Sequence, residues 1–463
     1  MKKIAILFLT FLTLIIIIFL NLDKVKENLP YSFRSKLKTM IGNNFFKTEL
    51  ARLEMQSVYL AKLEKLRYRS VDLKKIEDTI KTYGLIFFGY QSEIINIDSE
   101  KYTLKKYKTF QLINGIDPEV AFGSSFIDYY EDRLFLATAD GKITFTENLN
   151  SKNLVFKYID SNFRQLINYE EFYYYNALSI KDLFIFQNKI YLSYSNEQKE
   201  DCYNTSILVA DLNLKFLKFK NFFEPTECIS KNNIDNEFNF AQSGGRIFNY
   251  KNQKLLFTTG DYRFRENAQK LDSTFGKILS LDINTGQFNI VSYGHRNPQG
   301  LFYDKERNFI ISTEHGPMGG DEINLNISPE KKIKNYGWPV ASYGEHYGIL
   351  KGKNNPINKE KYKKYPLLKS HSKNGFEEPI KYYVPSVAIS QIIKIGDVKK
   401  NVFLVTSLKA RTIFIIELDE NLKLISEKKF YIGERVRDVI TTPGNKKIIL
   451  FLENSPSLAI LEK

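Results

Sequence analysis

Cysteine is scarce in this 463-residue chain, which contains only Cys202 and Cys228. Because no cysteine precedes Cys202, a lipid anchor on a processed N-terminal cysteine is excluded. In an exported protein an isolated pair of this kind indicates one disulfide that closes a loop. Two free buried thiols are the alternative interpretation.

The chain also lacks any clustering of its basic charge. Its 67 basic and 53 acidic residues give a net charge of +14. The lysines are spread along the whole sequence among Asn, Ile, Tyr and Phe, without a basic stripe or a nucleic-acid motif. We therefore expect no nucleic-acid partner.

Long apolar runs are confined to the start of the chain. Lys2 and Lys3 precede an apolar run over residues 4–20, and no small-residue cleavage site follows it. This pattern favours an uncleaved signal anchor, or transmembrane helix, over residues 1–22. It predicts a single-pass inner-membrane protein with its globular domain in the periplasm. A cleaved signal peptide is the alternative, because the run is at the short end for a membrane span.

Residues 23–84 are predicted to form a linker and a helical stalk. Apolar residues recur at three- and four-residue steps over residues 45–82, a segment without proline or glycine. This helix either stands off the globular domain or lies on it.

From about residue 85 the pattern becomes that of β-strands, and one short motif of apolar β-formers followed by small or polar residues recurs. The six runs are LFLATAD (134–140), IYLSYSN (190–196), LLFTTGD (255–261), FIISTEH (309–315), VFLVTSL (402–408) and IILFLEN (448–454). Their widest separation contains an insertion at 344–375, whose His346 and His371 are expected to be solvated. Six units of four antiparallel strands fit these intervals, so we predict an all-β, six-bladed β-propeller over residues 85–463. A tandem of β-sandwiches is the alternative.

The repeated unit predicts where special residues converge. A strand, a turn and a second strand return the chain to the end of the sheet where it began, so residues before the first strand and after the second share one rim. The rim residues are Gln242, Asp261, Arg296, Asn297, His315, Gly316, Pro317, Lys409, Arg435 and Arg437. Half of them are Arg, Lys or His, which favours an anionic ligand with several carboxylates.

Five blocks at this rim resemble one known family. They are GHRNPQG (294–300), TEHGP (313–317) with a following DEINL, NYGWP (335–339), SLK (407–409) and GERVRDV (433–439). They resemble the soluble sugar dehydrogenases that use pyrroloquinoline quinone (PQQ), a family named for glucose or sorbosone dehydrogenase. The resemblance is strong over 235–460 and weak back to about 85. It implies PQQ- and Ca²⁺-dependent oxidation of the CH–OH group of an aldose or other alcohol, with electrons passed to a respiratory acceptor.

The same resemblance implies individual roles. The residues matching the family's quinone contacts are Arg296, Asn297, Lys409, Arg435 and Arg437. Backbone carbonyls of Gly316 and Pro317 match a turn that binds Ca²⁺, an ion that prefers oxygen ligands. A second, structural calcium is implied near Glu322, Tyr336, Tyr343 and Glu345. Surface ion pairing is the alternative role for Arg435 and Arg437, which alternate on a strand.

One departure from the family concerns the base. The family has a histidine where AQSGGR (241–246) has Gln242, and glutamine has no usable pKa. Loss of a general base typically costs on the order of 10²- to 10⁴-fold in rate. His315 or Asp261 could substitute, since both are expected on the same rim. Two hypotheses follow: a dehydrogenase, or a propeller of the same ancestry that binds quinone, sugar or an envelope partner without oxidising it.

Overall fold

The computed structural model describes residues 73–97, 100–111, 124–167, 178–232, 237–347, 355–397 and 399–463. The predicted anchor at 1–22 and most of the predicted stalk lie outside these residues. Within the described ranges, no helix combines the length and the apolar character that a membrane crossing requires. This finding contradicts the predicted localisation as a single-pass inner-membrane protein, which is corrected accordingly.

Three α-helices lie in the described residues: α1 (Leu73–Tyr83), α2 (Phe163–Leu166) and α3 (Pro356–Lys364). Helix α1 is the described end of the helix predicted over 45–82. Its Ile80 is 1% exposed and belongs to a core cluster with Leu85 and Phe156. This end of the helix therefore lies on the sheets and does not stand off them.

The strands form six antiparallel groups of four, called sheets one to six in chain order; the first and the sixth are joined in one ten-stranded sheet, and the third has a short fifth strand. They are preceded by β1 (Leu85–Ile97) and β2 (Glu100–Lys108). Sheet one consists of β3 (Ser125–Tyr130), β4 (Arg133–Thr138), β5 (Ile143–Thr146) and β6 (Asn153–Ser161). Sheet two consists of β7 (Ile180–Phe186), β8 (Lys189–Lys199), β9 (Cys202–Asp211) and, after the short β10 (Phe216–Leu217), β11 (Lys220–Phe223). Sheet three consists of β12 (Gly244–Tyr250), β13 (Lys254–Thr259), β14 (Lys277–Asp282) and β15 (Phe288–Tyr293). Sheet four consists of β16 (Pro298–Asp304), β17 (Phe309–Glu314), β18 (Asp321–Ile327) and, after the short β19 (Lys334–Asn335), β20 (Lys381–Tyr383). Sheet five consists of β21 (Ile389–Ile395), β22 (Asn401–Ser407), β23 (Thr412–Leu418) and β24 (Leu424–Tyr431). Sheet six consists of β25 (Val436–Thr441), β26 (Lys447–Leu452) and β27 (Ser457–Glu462), and β2 is its fourth strand.

The burial of each strand explains its sequence pattern. The six apolar runs predicted from the sequence are the second strands of the sheets, β4, β8, β13, β17, β22 and β26. Such strands are covered on both faces, so β4 and β26 are buried along nearly their whole length. The outer strand β6 alternates buried and exposed residues, as expected for a half-covered strand.

The first strands of the six sheets form a closed ring. Neighbouring contacts run from β3 to β7, β12, β16, β21 and β25, and from β25 back to β3. Strand β1 pairs with β2 of the sixth sheet and with β6 of the first, which joins these two sheets into one continuous sheet. This all-β arrangement is consistent with a β-propeller.

Polar side chains on the first strands bond each sheet to the next. Carboxylates of Asp438, Asp128 and Asp182 accept hydrogen bonds from backbone N–H groups of β3, β7 and β12 at 2.9, 2.6 and 2.7 Å. Gln391 Oε1 accepts from the N–H of Leu301 on β16 at 3.1 Å. The side chain of Arg246 on β12 donates to the backbone oxygen of Gln299, at the start of β16. These contacts fix the first strands, and therefore the rim above them.

The predicted disulfide between Cys202 and Cys228 is confirmed. Next to it, Tyr203 and Ile229 exchange two backbone hydrogen bonds of 2.9 Å. Glu227, adjacent to Cys228, accepts hydrogen bonds from the backbone and hydroxyl of Thr274 at 2.6 and 2.9 Å. The disulfide therefore tethers a segment that holds the loop between β13 and β14.

Candidate functional site

The candidate site lies at the end of the ring where the first strands begin. Gly244 pairs with Thr259, and Pro298 pairs with Glu314, so the first and second strands of sheets three and four meet at this end. Residues immediately before and after these strands are brought together as the sequence predicts.

Arg296 is the centre of one half of the rim. Its guanidinium Nη1 donates to the backbone oxygens of His315 and Gly316 at 2.9 and 2.6 Å, and the side chain is buried. The guanidinium carbon lies 5.3 Å from the ring centroid of Trp338. Trp338 Nε1 in turn donates to Asp261 Oδ2 at 2.7 Å. These contacts hold Arg296 between an aromatic face and two carbonyl oxygens.

Asn297 joins three segments of the rim. Its amide nitrogen lies 3.2 Å from the oxygen of Ala241 and 3.5 Å from Nδ1 of His315. Its amide oxygen accepts from Gly244 N at 3.1 Å and from Gln299 Nε2 at 3.0 Å. Asn297 therefore holds two candidate catalytic segments in place, the one that carries Gln242 and the one that carries His315.

Gln242 is buried at the end of a 3₁₀ helix, Phe240–Gln242. Its backbone oxygen accepts from Tyr262 N at 3.0 Å, which fixes the residue. Its side-chain Oε1 is buried and makes no hydrogen bond to any described residue. A buried acceptor without a donor is costly, so a donor from a ligand would be favoured here.

Arg435 and Arg437 both contact Glu453, which follows β26. Arg435 Nε lies 2.7 Å from Glu453 Oε1, and Arg437 Nε lies 2.5 Å from Oε2. Glu453 is fully buried, which would raise its pKa, but Arg437 and Arg435 outweigh burial and hold the pKa below its usual value. Lys409 lies at the same end of the ring, exposed, with no ion-pair partner among the described residues. Of the four predicted cations, Arg435 and Arg437 therefore form ion pairs, as the alternative interpretation expected for these two residues.

The two predicted substitute bases differ in their surroundings. Burial raises the pKa of Asp261, although Arg296 opposes it, and both carboxylate oxygens accept hydrogen bonds from Trp338 Nε1 and Arg263 N. Burial lowers the pKa of His315 to about 4. Arg437 and Arg296 act in the same direction, and Asp321 acts against them. At neutral pH His315 is therefore an uncharged imidazole and a weak base.

Three residues of the rim were missed by the sequence analysis: Lys181, Gln299 and Glu453. Gln299 Oε1 accepts from Arg437 Nη1 at 3.2 Å and so links Arg437 to Asn297. Lys181 is the second residue of β7, and burial lowers its pKa to about 7, with Arg437 acting in the same direction. Residues at the start of a first strand and after a second strand share the rim, and this rule located Arg437. The same rule applies to the start of β7 and to the end of β26, so it could have located Lys181 and Glu453.

The four residues predicted for a structural calcium are engaged elsewhere. Glu322 Oε1 lies 3.2 Å from Nε2 of His371, and the Tyr336 hydroxyl donates to the oxygen of Leu325 at 2.9 Å. The Tyr343 hydroxyl donates to Glu378, while Glu345 accepts from Tyr362 and lies near Lys369. Among the residues that the structure describes, no group of three or more His, Cys, Asp or Glu could hold a metal ion.

The two insertion histidines differ from the expectation of solvation. His346 and His371 are each 1% exposed. His346 Nε2 lies 2.8 Å from the oxygen of Tyr365, and His371 Nδ1 lies 2.9 Å from the oxygen of Tyr336. The insertion packs against the fold, so both histidines are buried and each contacts a backbone oxygen.

Comparison with known proteins gives a family for this arrangement. The family model described as Glucose / Sorbosone dehydrogenase matches residues 177–460. The chain belongs to this family. The match includes Arg435, Arg437 and all the rim segments from β7 onward. The resemblance predicted from the sequence blocks is confirmed.

Two curated relatives and one solved structure illustrate the likeness. The chain is 28% identical over 293 residues to the aldose sugar dehydrogenase YliI of Escherichia coli strain K12, covering 58% of this chain and 72% of that protein. It is 32% identical over 220 residues to the uncharacterized protein slr1608 of Synechocystis, covering 44% of this chain and 49% of that protein. The matched part therefore spans about half the length of that relative. The PQQ-bound aldose sugar dehydrogenase of Streptomyces coelicolor shares the fold, with a TM-score of 0.53, 17% identity and coverage of 78% and 98% of the two chains.

Proposed function

We propose that this chain is a six-bladed β-propeller that uses PQQ to oxidise the CH–OH group of an aldose or another alcohol and passes the electrons to a respiratory acceptor. The observation that carries the proposal is the convergence of Arg296, Lys409, Arg435 and Arg437 on one rim. Family membership and the PQQ-bound relative support it.

The residues present fit an anionic quinone with several carboxylates. Arg435 and Arg437 share one carboxylate, Glu453, and Lys409 has no ion-pair partner among the described residues. The surplus of positive charge favours a polyanionic ligand, and Arg forks suit carboxylates in particular. Lys409 would supply a further contact without first leaving an ion pair. When bound, the quinone accepts the hydride of the alcohol carbon.

Gln242 and Asn297 would orient the substrate. The buried Oε1 of Gln242 can accept a hydrogen bond from the substrate hydroxyl, which satisfies an acceptor that lacks a donor among the described residues. Asn297 holds this segment against the next sheet through Gly244 and Ala241. Glutamine cannot take up the proton, so orientation and proton transfer must fall to different side chains.

Calcium belongs to the proposal at one place only, the Gly316–Pro317 turn. There the oxygen of Gly316 already accepts a hydrogen bond from Arg296 at 2.6 Å. A divalent cation at that oxygen would have to share it with a guanidinium, so we expect binding only together with the anionic cofactor. The residues predicted for a second calcium do not fit one, and no role is assigned to it.

A non-catalytic propeller of the same ancestry is the second candidate. The observation that favours it is Gln242, which has the family's position for the base but not its chemistry. On this proposal the rim binds quinone, sugar or an envelope partner without turnover.

The test is a titration of the full chain with PQQ, with and without Ca²⁺, followed by thermal unfolding and absorbance. Ligand at 100 times its Kd should stabilise the folded protein by about 2.7 kcal/mol. The variant Arg437→Gln should weaken binding, whereas Lys373→Gln, an exposed position in the insertion, is the matched control. Sugars and alcohols are then added, and bleaching of the bound cofactor distinguishes the dehydrogenase from the binding protein. A folded protein with no shift on PQQ addition would contradict both quinone proposals.

A further inference from the structure

The turn that follows β13 is held in an unusual backbone conformation. Tyr262 and Arg263 have φ values of 49° and 67°, a region that residues other than glycine rarely adopt. The backbone oxygen of Gln242 accepts a hydrogen bond from the N–H of Tyr262 at 3.0 Å, and Asp261 Oδ1 accepts from the N–H of Arg263 at 2.8 Å. The hydroxyl of buried Tyr262 donates to the oxygen of Asn204 at 2.8 Å. These bonds fix the backbone of Arg263 next to the segment that carries Gln242.

The guanidinium of Arg263 has no hydrogen-bond or ion-pair partner in the described part of the chain. The side chain is half-buried, and its Nε is shielded from solvent without an acceptor. Glu237, the carboxylate that acts on this guanidinium, is already bonded to Arg265 and Lys361. Both oxygens of Asp261 also accept other hydrogen bonds, from a backbone N–H and from an indole. A buried donor without an acceptor is costly, so an acceptor supplied by a ligand would be favoured here.

Arg263 and Arg296 approach the same exposed aromatic ring. Their guanidinium carbons lie 5.0 and 5.8 Å from the ring centroid of Tyr347, which is 45% exposed. Burial lowers the pKa of Arg263, and the charge of Arg296 acts in the same direction. A negative charge placed beside Arg263 would offset this repulsion. The ring of Trp338, 5.3 Å from the guanidinium carbon of Arg296, gives the same place a second aromatic wall, a usual composition for a small-molecule site.

Arg263 also lies across the ring from the arginines that the proposed function assigns to the cofactor. Arg435 and Arg437 lie at the start of β25 in sheet six, whereas Arg263 follows β13 in sheet three. The first strands contact one another in a closed ring of six, so sheets three and six are opposite each other. The rim therefore has two separate cationic positions, and the cofactor carboxylates do not need both.

We propose that Arg263 binds a carboxylate of the substrate, which is an acidic aldose such as a uronic acid. The inference rests on the proposed function and names the substrate class of the same site. The fork of Arg263 can donate two parallel N–H bonds to one carboxylate. In a uronic acid the carboxylate is at the opposite end of the sugar from the anomeric CH–OH group. Arg263 then holds one end of the substrate, and the unpaired Oε1 of Gln242, on the adjoining segment, accepts from a hydroxyl at the other.

A matched pair of sugars tests the proposal. Galacturonate and galactose differ only in the carboxylate, and calorimetric titration of the full chain, with reduced PQQ and without cofactor, measures their binding without turnover. The wild type should bind galacturonate at least about tenfold more tightly than galactose, since hydrogen bonds to charged groups have this weight. Arg263→Gln should weaken galacturonate binding on the order of 10- to 100-fold and leave galactose binding unchanged. Lys373→Gln, at an exposed position of the insertion, is the matched control and should change neither.

The stability of the ligand-free protein separates ligand binding from a structural role. Because the guanidinium has no partner among the described residues, Arg263→Gln should leave the unfolding midpoint within about 2 °C of the wild type. A larger fall assigns Arg263 a structural role and overturns the inference.

Three binding outcomes decide the rest. Equal affinities of the wild type for the two sugars, or a galacturonate affinity that Arg263→Gln does not change, overturn the inference. A Kd for PQQ that Arg263→Gln raises by more than about tenfold also overturns it, because the guanidinium then holds a cofactor carboxylate. Selective galacturonate binding that depends on Arg263, but without bleaching of bound PQQ, supports the carboxylate site and overturns the dehydrogenase function alone.

Discussion

Arg246 offers the sharpest test of how the ring supports the site. It is 4% exposed, and its Nη1 lies 2.7 Å from Asp182 Oδ1 and 2.9 Å from Asp438 Oδ1. Its Nε donates to the oxygen of Gln299, whose side chain contacts Arg437. The perturbation is Arg246→Met, which keeps length and apolar volume but leaves two buried carboxylates without their cation.

The expected loss in free energy of unfolding is about 3–5 kcal/mol at pH 7, the usual cost of removing one partner of a buried ion pair. Replacing both carboxylates as well, in Arg246→Met with Asp182→Asn and Asp438→Asn, should recover more than half of it. The amide oxygens of these two asparagines can still accept from the N–H groups of Ile247 and Ile127.

The loss should depend on pH with a definite sign. Burial already raises the pKa of Asp182 to about 7, with Arg246 opposing that rise. Removing Arg246 raises the folded-state pKa further, whereas the unfolded value is near 3.9. An acid with a raised folded pKa destabilises the fold as pH rises from the unfolded value toward the folded one. The variant should therefore lose more stability at pH 8 than at pH 5.

Equilibrium unfolding in urea at both pH values measures these quantities. Arg133→Met is the matched control, because Arg133 pairs with Glu147 at 3.0 Å at a solvated position and should cost no more than about 1 kcal/mol. A loss below about 1 kcal/mol for Arg246→Met, or equal losses at pH 5 and pH 8, would refute the reasoning.

Three further perturbations have defined outcomes. Replacing Cys202 and Cys228 by serine should cost about 3 kcal/mol on the loop-entropy model, measured as a lower unfolding midpoint that reductant no longer changes. Trp338→Phe removes the indole N–H from buried Asp261 and should cost about 1–3 kcal/mol by thermal unfolding, whereas a cost near zero would show that this bond has no structural weight. Burial lowers the pKa of Lys277 to about 7, so its folded form holds fewer protons than the unfolded chain, and stability should rise from pH 8 to pH 10. Lys277→Met should flatten that rise in urea titrations.

The sequence predicted the repeated unit because strand burial leaves a direct trace in residue type. The second strands are covered on both faces, so runs such as IILFLEN are apolar throughout and stand out from their surroundings. The rim followed from the same unit, since hairpin geometry alone brings Arg296, His315 and Arg437 to one end. The disulfide could be predicted because the chain contains only two cysteines, Cys202 and Cys228.

What the sequence could not predict depends on side-chain partners far apart in the chain. His371 and Glu322 are 49 positions apart and meet only because the insertion folds back on the fourth sheet. Glu453 follows β26, the partner strand of β25, so hairpin geometry places it beside Arg435 and Arg437, but nothing in its local sequence indicates that it pairs with both. Lys181 precedes a buried aspartate as Arg437 does, but its neighbours carry none of the blocks that indicated the rim.

Carboxylates behind the rim explain how a site with so many cations stays ordered. Glu453 holds Arg435 and Arg437, and Glu314 accepts from the backbone N–H of Arg296 at 2.5 Å. Asp321 accepts from Gly316 N at 3.1 Å and from the N–H groups of Val387 and Ala388, which lead into β21. Each acid fixes a cation or the backbone beside one, yet the four predicted cations outnumber the acids that pair with them. The excess is what an anionic ligand would neutralise, so we expect the cations to be held in place before the ligand arrives, with little reorganisation on binding.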